Sequence, residues 1–571
     1  MQARWEIKQL TEIQKCQAES LAQELKISYL SASMLIRRGL TTAAVARAFI
    51  SPKLADLYNP FLMKDMDKAV RRLMLAIDNG ERILIYGDYD VDGTTAVALV
   101  YKYLYKYYQN IDFYIPDRYT EGYGVSYLGI DYAEKTGCSL IIALDCGIRS
   151  VDKVDYAKQK GIDFIICDHH LPSVELPNAV AVLDAKRQDN TYPFRELCGC
   201  GVGFKFMQAF AMKRNMPFET LTPLLELCAM SIASDIVPVI DENRILAYYG
   251  LRQINTCPSV GVNSLIKVAG IEFGKLTIDD LGYKIGPRIN ACGRIKSGRE
   301  AVRLLLTEET EKADNIASEV NKHNSDRKDL DQQITVEALA QIESNPLNDR
   351  LKTTVVCGKN WHKGVVGIVA SRLTEKYYRP TIVLSEMDGM LTGSARSVGG
   401  FDIYAAIDSC RDLLTNFGGH IYAAGLSMKP ENLQEFTRRF EEFVAAHIIP
   451  EQQQPVVQIE AQISFSDITA QFFNVLRHLE PFGPGNPRPV FLTKNTCNYR
   501  YTRAVGKNGE HLKIDLTDGT SAMSGIAFGK GDLSGRLNNG SKADVCYTLQ
   551  QNSFNGMTSI QMMVQDIVVY E

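Results

Sequence analysis

Arg82-Ile-Leu-Ile-Tyr-Gly-Asp88-Tyr-Asp90-Val-Asp92-Gly93-Thr-Thr95 is the stretch whose reading decides the fold. A short apolar run ends in three carboxylates, and Gly93 comes at once after them. From Ala96 to Tyr108 the composition suits a helix. The order is that of a buried parallel strand, a tight turn and a helix N-terminus. In open α/β sheets, ligands sit in the crevice beyond the carboxyl ends of the strands. Acids crowded there repel one another unless cations hold them, and hard divalent cations prefer oxygen ligands. One Asp at such a place reads as a helix cap. Asp-x-Asp-x-Asp-Gly directly after a strand reads as a metal site.

Outward from this stretch, residues 55 to 240 alternate strand with helix. Strands are predicted at Ile83–Tyr86, Phe113–Pro116, Leu140–Leu144, Phe164–Cys167 and Val180–Leu183. The pattern predicts an α/β fold with a doubly wound, mostly parallel sheet. Leu140–Leu144 runs into Asp145-Cys-Gly147, and Phe164–Cys167 runs into Asp168-His169-His170. A later apolar helix, Cys228 to Ser234, reaches Asp235. Such a sheet would bring these ends to one rim. Both imidazoles of the Asp-His-His triplet stand beside acids in a chain with eight His in all. Carboxylates with His and no thiolate point to Mn²⁺ or Mg²⁺, as a pair, the usual apparatus for in-line displacement at phosphorus.

These four motifs resemble, in order, those of the DHH phosphoesterases, and most closely the RecJ-type single-stranded-DNA exonucleases. The resemblance implies that Asp88, Asp90, Asp145, His169 and Asp235 ligate two Mn²⁺ or Mg²⁺ ions. Asp92, Asp168 and His170 are expected beside them as catalytic groups, His170 assisting phosphate binding or proton transfer and Asp92 either orienting the turn or touching metal. Tyr86 stands where many relatives carry His, so no ligand role is assigned to it. Arg118, in Pro116-Asp-Arg-Tyr-Thr-Glu-Gly-Tyr-Gly124, occupies the family's phosphate-facing loop; the alternative is an ion pair with Asp117 or Glu121. Gly286-Pro-Arg288-Ile-Asn290-Ala-Cys-Gly293-Arg294 reads as a Gly-punctuated turn gripping a polyanion through Arg288, Asn290 and Arg294.

The rest of the chain divides by composition. Residues 1–50 read as a helical cap, 51–305 as the DHH domain and 306–348 as a charged connector helix capped by Thr307. Residues 349–450 carry Gly-rich sites around Trp361–Arg372, Gly393–Ser397 and Gly418–His420. Together they resemble the DHH-associated domain, which in the family holds the nucleic-acid end, here through Ser371, Arg372, Arg396 and His420. After a Gln-rich linker, residues 455–571 show short alternating strands of a small β-barrel. The resemblance implies an OB-fold there, and Arg500, Tyr501 and Arg503 have the composition of a single-strand groove.

With 45% hydrophobic residues, 23% charged residues and a net charge of −4, the chain reads as an ordinary soluble multidomain protein with no global attraction for polyanions. No apolar run approaches a membrane span, the start lacks a signal-peptide core, and thirteen scattered Cys fit a reducing cytoplasm. Cys198-Gly-Cys200, lacking a second pair, reads as structural. The resemblance implies a metal-dependent exonuclease that releases mononucleotides from the 5′ end of single-stranded DNA in repair and recombination. It also implies partners such as a single-strand-binding protein and a helicase. One rival is a DHH phosphoesterase acting on short oligoribonucleotides or cyclic dinucleotides. Another is a non-catalytic DNA-binding replication scaffold, against which every motif acid being present argues.

Overall fold

The computed structural model of the protein describes residues 3–554 and 557–570. They form two compact units. One comprises residues 14–325 with 475–488; the other takes the described residues of 1–13, 326–474 and 489–571.

The first unit is built on a sheet of β1 (Arg82–Gly87), β2 (Ile111–Tyr114), β3 (Cys138–Leu144), β4 (Asp163–Cys167) and β5 (Ala181–Leu183). Its order is β2-β1-β3-β4-β5, and every pairing is parallel. β1 and β3 read as unbroken apolar runs because helices cover both faces of such a sheet. α1 (Val91–Tyr105) leaves β1 through the acidic turn, and α2 (Gly199–Lys213) and α3 (Leu225–Ser234) belong to the same core. The expected doubly wound sheet is present; its second strand begins two residues earlier than the sequence suggested and stops at Tyr114.

Three local readings are corrected. The glycines at 286 and 293 do not punctuate a turn: a π-helical turn at Leu281–Ile285 runs into α4 (Gly286–Ile295). They mark close packing, since a Cβ on Gly286 would lie 2.5 Å from Ser234 Oγ and one on Gly293 would lie 2.8 Å from the Tyr89 carbonyl. Thr307 does not cap the connector. Its N–H closes the preceding helix on Arg303 O (3.1 Å), and the long helix α5 runs Thr310–Ser344. The first residues are not all helical either. Arg4–Ile7 is a strand paired in parallel with Val456–Ile459, and Trp5 donates to Asp566 (3.0 Å).

In the second unit, β6 (Thr354–Lys359), β7 (Thr381–Met387), β8 (Met390–Arg396), β9 (Leu414–His420) and β10 (Ala423–Met428) form a sheet in the order β9-β10-β8-β7-β6. α6 (Val366–Tyr377) packs in the apolar cluster that also takes Ile334, Ala338 and Ile342 of α5. The C-terminal strands are β11 (Phe491–Asn498), β12 (His511–Thr517), β13 (Ala522–Ala527), β14 (Ala543–Phe554) and β15 (Met557–Val569). β11 pairs with both β14 and β12, which closes the ring β11-β14-β15-β13-β12. The parallel pairing of β13 with β15 and the small closed section are those of an OB-type barrel.

A buried charge pair ties the first unit together. Lys205 Nζ donates to Glu242 Oε1 (2.8 Å) and to Tyr58 O (2.6 Å), while Glu242 also accepts from Tyr58 N and Tyr192 OH. Both charged side chains are fully buried. Lys205→Met leaves the Glu242 carboxylate buried without its counter-charge, and the expected loss is about 3–5 kcal/mol. A urea-unfolding midpoint unchanged from wild type would refute this.

Candidate metal centre

The rim is assembled from strand ends. β1 delivers Asp88, which is fully buried and accepts from the Gly124 N–H (3.2 Å). Asp90 caps α1 by accepting from the Gly93 N–H (3.0 Å). Gly93 is required there, because a Cβ would come within 2.4 Å of the Asp88 carbonyl. β3 delivers Asp145 in a left-handed conformation (φ 57°), which Asp tolerates better than most residues. β4 delivers the Asp-His-His triplet, and Asp235 closes the C-terminal end of α3.

His169 stands at the centre. Its Nε2 lies 3.2 Å from Asp145 Oδ1, 3.5 Å from Asp235 Oδ2 and 3.6 Å from Asp92 Oδ2. Donor atoms of Asp145, His169 and His170 fall within 4.8 Å of one another, and so do those of Asp92, His169 and Asp235. Asp88 Oδ2, Asp145 Oδ1 and both His169 ring nitrogens are buried with no hydrogen-bond partner. Buried polar atoms are ordinarily paired. Orphaned carboxylate oxygens around an orphaned imidazole are the donor set a hard divalent ion completes, so the residues present fit such an ion.

The electrostatics agree. Burial, then the charge of Asp90, pushes Asp88 well above the usual carboxylate range; burial, then Asp92, does the same to Asp145. Asp90 is also raised, chiefly by burial, and Asp235 is pushed up to about 8 by burial and the neighbouring acids. Asp168 goes the other way. Burial opposes its charge, but the His170 hydrogen bond and the N–H groups of Ile148, His169 and His170 hold it below the usual range. His170 Nδ1 lies 2.7 Å from Asp168 Oδ1, and despite burial this partner lifts the imidazole to about 9. His170 Nε2 meets Tyr123 OH at 3.1 Å.

Asp92 has a different setting from its neighbours. Its carboxylate accepts from Gly199 N (2.6 Å), Cys200 N (2.6 Å) and Ser231 Oγ (2.7 Å), tying the start of α2 and the body of α3 to the acidic turn. That geometry is an anchor's. Tyr86, placed outside the ligand set by the sequence, is buried; its hydroxyl donates to Gly124 O (3.0 Å) and accepts from Ser126 N. Cys198 caps α2 by accepting from Gly201 N, in keeping with a structural role.

Family models match along the chain: the DHH family N-terminal domain over residues 82–232, the DHHA1 domain over 348–446 and the RecJ OB domain over 459–566. The Bacillus subtilis single-stranded-DNA-specific exonuclease RecJ is 38% identical over all of this chain and 71% of its own length. The chain belongs to the RecJ family. The Escherichia coli RecJ is 33% identical over 88% of this chain and 90% of its own. A crystal structure of Thermus thermophilus RecJ in complex with Mn²⁺ superposes with a TM-score of 0.85 at 27% identity, covering 100% of this chain and 80% of that one.

Against the RecJ frame, the remaining expected residues separate. Arg118 is not paired with Asp117 or Glu121, whose carboxylates serve their own loop. Its guanidinium lies 4.9 Å over the Tyr89 ring and its charge reaches Asp88. Arg294 lies by the same tyrosines and its carbonyl accepts from Tyr119 OH. Asn290 shares α4 with it and is half-buried. Arg288 donates to Asn321 Oδ1 (3.0 Å) and Lys284 O (2.7 Å), which joins α4 to α5. In the second unit, Ser371 Oγ donates to Gly367 O, and Gly367 lies against Arg396, whose guanidinium donates to Ser394 Oγ (2.8 Å). His420 ends β9, paired with Ala423, which also pairs with Arg396 on the other side. Arg372 is half-exposed and joined to the buried Asp331 (2.6 Å). In the barrel, Tyr501 is 77% exposed and not packed inside; Arg500 lies over Tyr499, and Arg503 is exposed on a short strand paired with β12.

The sequence reading missed Tyr123, Ser231 and Lys186, whose charge reaches Asp235 and His169. The stretch Glu121-Gly-Tyr-Gly124 was the only signal for Tyr123. A metal titration checks the rim. Each raised carboxyl has a folded pKa above the unfolded value near ~4, so its ionisation costs the metal-free fold stability as pH rises, for Asp235 up to about 8. The rise in melting temperature on adding Mn²⁺ is therefore expected to be larger at alkaline than at mildly acidic pH; a larger rise in acid would contradict the assignment.

Proposed function

We propose that the protein is a metal-dependent exonuclease that hydrolyses single-stranded DNA from its 5′ end and releases mononucleotides in DNA repair and recombination. The single observation carrying this is the set of orphaned, buried carboxylate and imidazole donors around His169, in a chain related along its length to RecJ exonucleases. Asp88, Asp90, Asp145, His169 and Asp235 are assigned as ligands of Mn²⁺ or Mg²⁺, as two ions. Bound there, such ions supply positive charge that acidifies an attacking water and offsets charge building on the phosphate. The chain does the rest. Asp168 fixes the His170 ring through Nδ1, which leaves Nε2 to hold or deliver a proton at the departing 3′ oxygen. Tyr123 OH bonds that same nitrogen and orients it. Arg118 offers guanidinium charge to Asp88 and Arg294 offers it by Tyr89, a chemistry suited to phosphate oxygens.

By this reading, residues 51–305 are the catalytic domain, 306–348 the connector, 349–450 the domain that grips the strand end through Ser371, Arg372, Arg396 and His420, and 455–571 the strand-holding barrel. Exposed Tyr501 with Arg500 and Arg503 suits base stacking and backbone attraction. On this reading the protein's partners are a helicase that exposes the single strand and a single-strand-binding protein that occupies it. We infer a cytoplasmic setting alongside the chromosome; no helix among the described residues is long and apolar enough to cross a membrane.

The test uses 5′-labelled and 3′-labelled single-stranded DNA with Mn²⁺, Mg²⁺ or EDTA. Wild type is expected to release labelled mononucleotide first from the 5′ end, metal-dependently, and Asp145→Ala to lose this by several orders of magnitude. Intact DNA with cleavage of cyclic dinucleotides or short oligoribonucleotides would move the assignment to the small-substrate phosphoesterases. For the barrel, Tyr501→Ala is expected to weaken single-strand binding by about 1–3 kcal/mol in fluorescence anisotropy. Unchanged affinity would remove Tyr501 from the groove.

A further inference from the structure

Residues 475–488 lie inside the stretch matched by the RecJ OB domain, yet they form part of the first unit. What holds them there is Arg244, on the helix Asp241–Thr256, which is 2% exposed. Its guanidinium donates to the carbonyls of Phe49 (2.9 Å), Leu479 (2.9 Å), Pro481 (3.2 Å), His478 (3.2 Å) and Glu480 (2.9 Å). It also stacks 3.8 Å over the Phe49 ring. A guanidinium has five N–H donors in a fixed fork, and here each meets a carbonyl, so the segment's path is set in detail. Asn486, fully buried, repeats the grip by donating to Leu479 O and Pro481 O while accepting from Arg38.

The held segment bears on the loop that carries Asp235. Val239 N donates to Pro484 O at 2.7 Å. Gly483 touches Val239 so closely that a Cβ would lie 2.4 Å from its Cγ2. Within the same loop Ile236 has φ 58°, a left-handed conformation that is costly for a β-branched residue and persists only where surroundings impose it. Where the end of α3 (Ile232, Ser234) and the loop (Ile236, Val239) face the segment (Phe482, Pro484), a cavity of about 140 Å³ remains.

We propose that residues 475–488, locked by Arg244, are a positioning brace that fixes the Asp235 carboxylate for metal binding. The proposal rests on the assignment of Asp235 as a metal ligand. Arg244 and Gly483 act through Val239.

The experiment is calorimetric titration of the full-length chain with Mn²⁺, together with nucleotide-release rates on short single strands across Mn²⁺ concentrations. The variants are Arg244→Met, Gly483→Ala and, as comparator, Asp235→Asn. Gly483→Ala presses on Val239 while leaving every Arg244 hydrogen bond in place, so it decides the matter if Arg244→Met does not fold. Expected is a roughly 10–100-fold weaker Mn²⁺ affinity in Arg244→Met and Gly483→Ala, the scale for losing a group that orients a ligand. Excess Mn²⁺ should restore much of kcat, with KM for DNA unchanged. Wild-type Mn²⁺ affinity in Gly483→Ala, whatever its melting temperature, overturns the brace. Asp235→Asn binding Mn²⁺ as tightly as wild type overturns the ligand assignment, and the brace with it. Wild type that binds Mn²⁺ but cuts no DNA overturns the exonuclease reading alone, and the calorimetry still decides the brace.

Discussion

Like charges at a buried sheet rim repel one another, and the first unit is organised around containing that repulsion. Asp88, Asp90, Asp145 and Asp235 all have their ionisation opposed by burial and by one another. The fold opposes this with fixed dipoles and hydrogen bonds. The first N–H groups of α2 point at Asp92, and the N–H groups of Ile148, His169 and His170 converge on Asp168. Asp92 and Asp168, each held by three or more such bonds where Asp88 and Asp90 accept one backbone N–H apiece, are anchors. Those left with orphaned oxygens, Asp88 and Asp145, are free to take a cation.

This division of labour explains the close packing around the rim. Gly199 begins α2 directly against Asp145, where a Cβ would lie 2.6 Å from the Asp145 Cβ, and Gly293 lets α4 cross the Tyr89 carbonyl. Both glycines allow a helix to reach an acid-bearing turn closely enough for backbone and guanidinium groups to act on it. The same logic extends to the side chains that face outward. Arg118 lies over Tyr89 with its charge reaching Asp88, and Tyr123 bonds His170.

The strand-end acids were legible because a parallel sheet imposes a period and a direction: apolar runs locate the strands, and the residues just after each run must lie on one edge. The closed barrel was legible from short alternating strands and turn signals. Long-range partners were not. Nothing local in Asp92 says that its donors lie over a hundred residues away, at Gly199 and Ser231. Arg288 and Arg294 look equivalent in the sequence, and only the rotation of α4 sends one to Asn321 and the other to the tyrosines. The glycines of that segment misled for the same reason, since local chemistry reads Gly as a turn and cannot see a neighbouring helix. Arg4–Ile7 escaped detection because its strand partner, Val456–Ile459, lies at the far end of the chain.

The anchoring of Asp92 and Asp168 has a kinetic corollary. Because backbone donors from α2 and the end of β4 hold these two acids without help from any ion, the pocket exists as a shaped receptacle before metal arrives. Loading is then a docking event onto a finished surface, unlike the coupled folding of a zinc finger. An ion entering the rim would find Asp92 and Asp168 already placed by the chain's own hydrogen bonds.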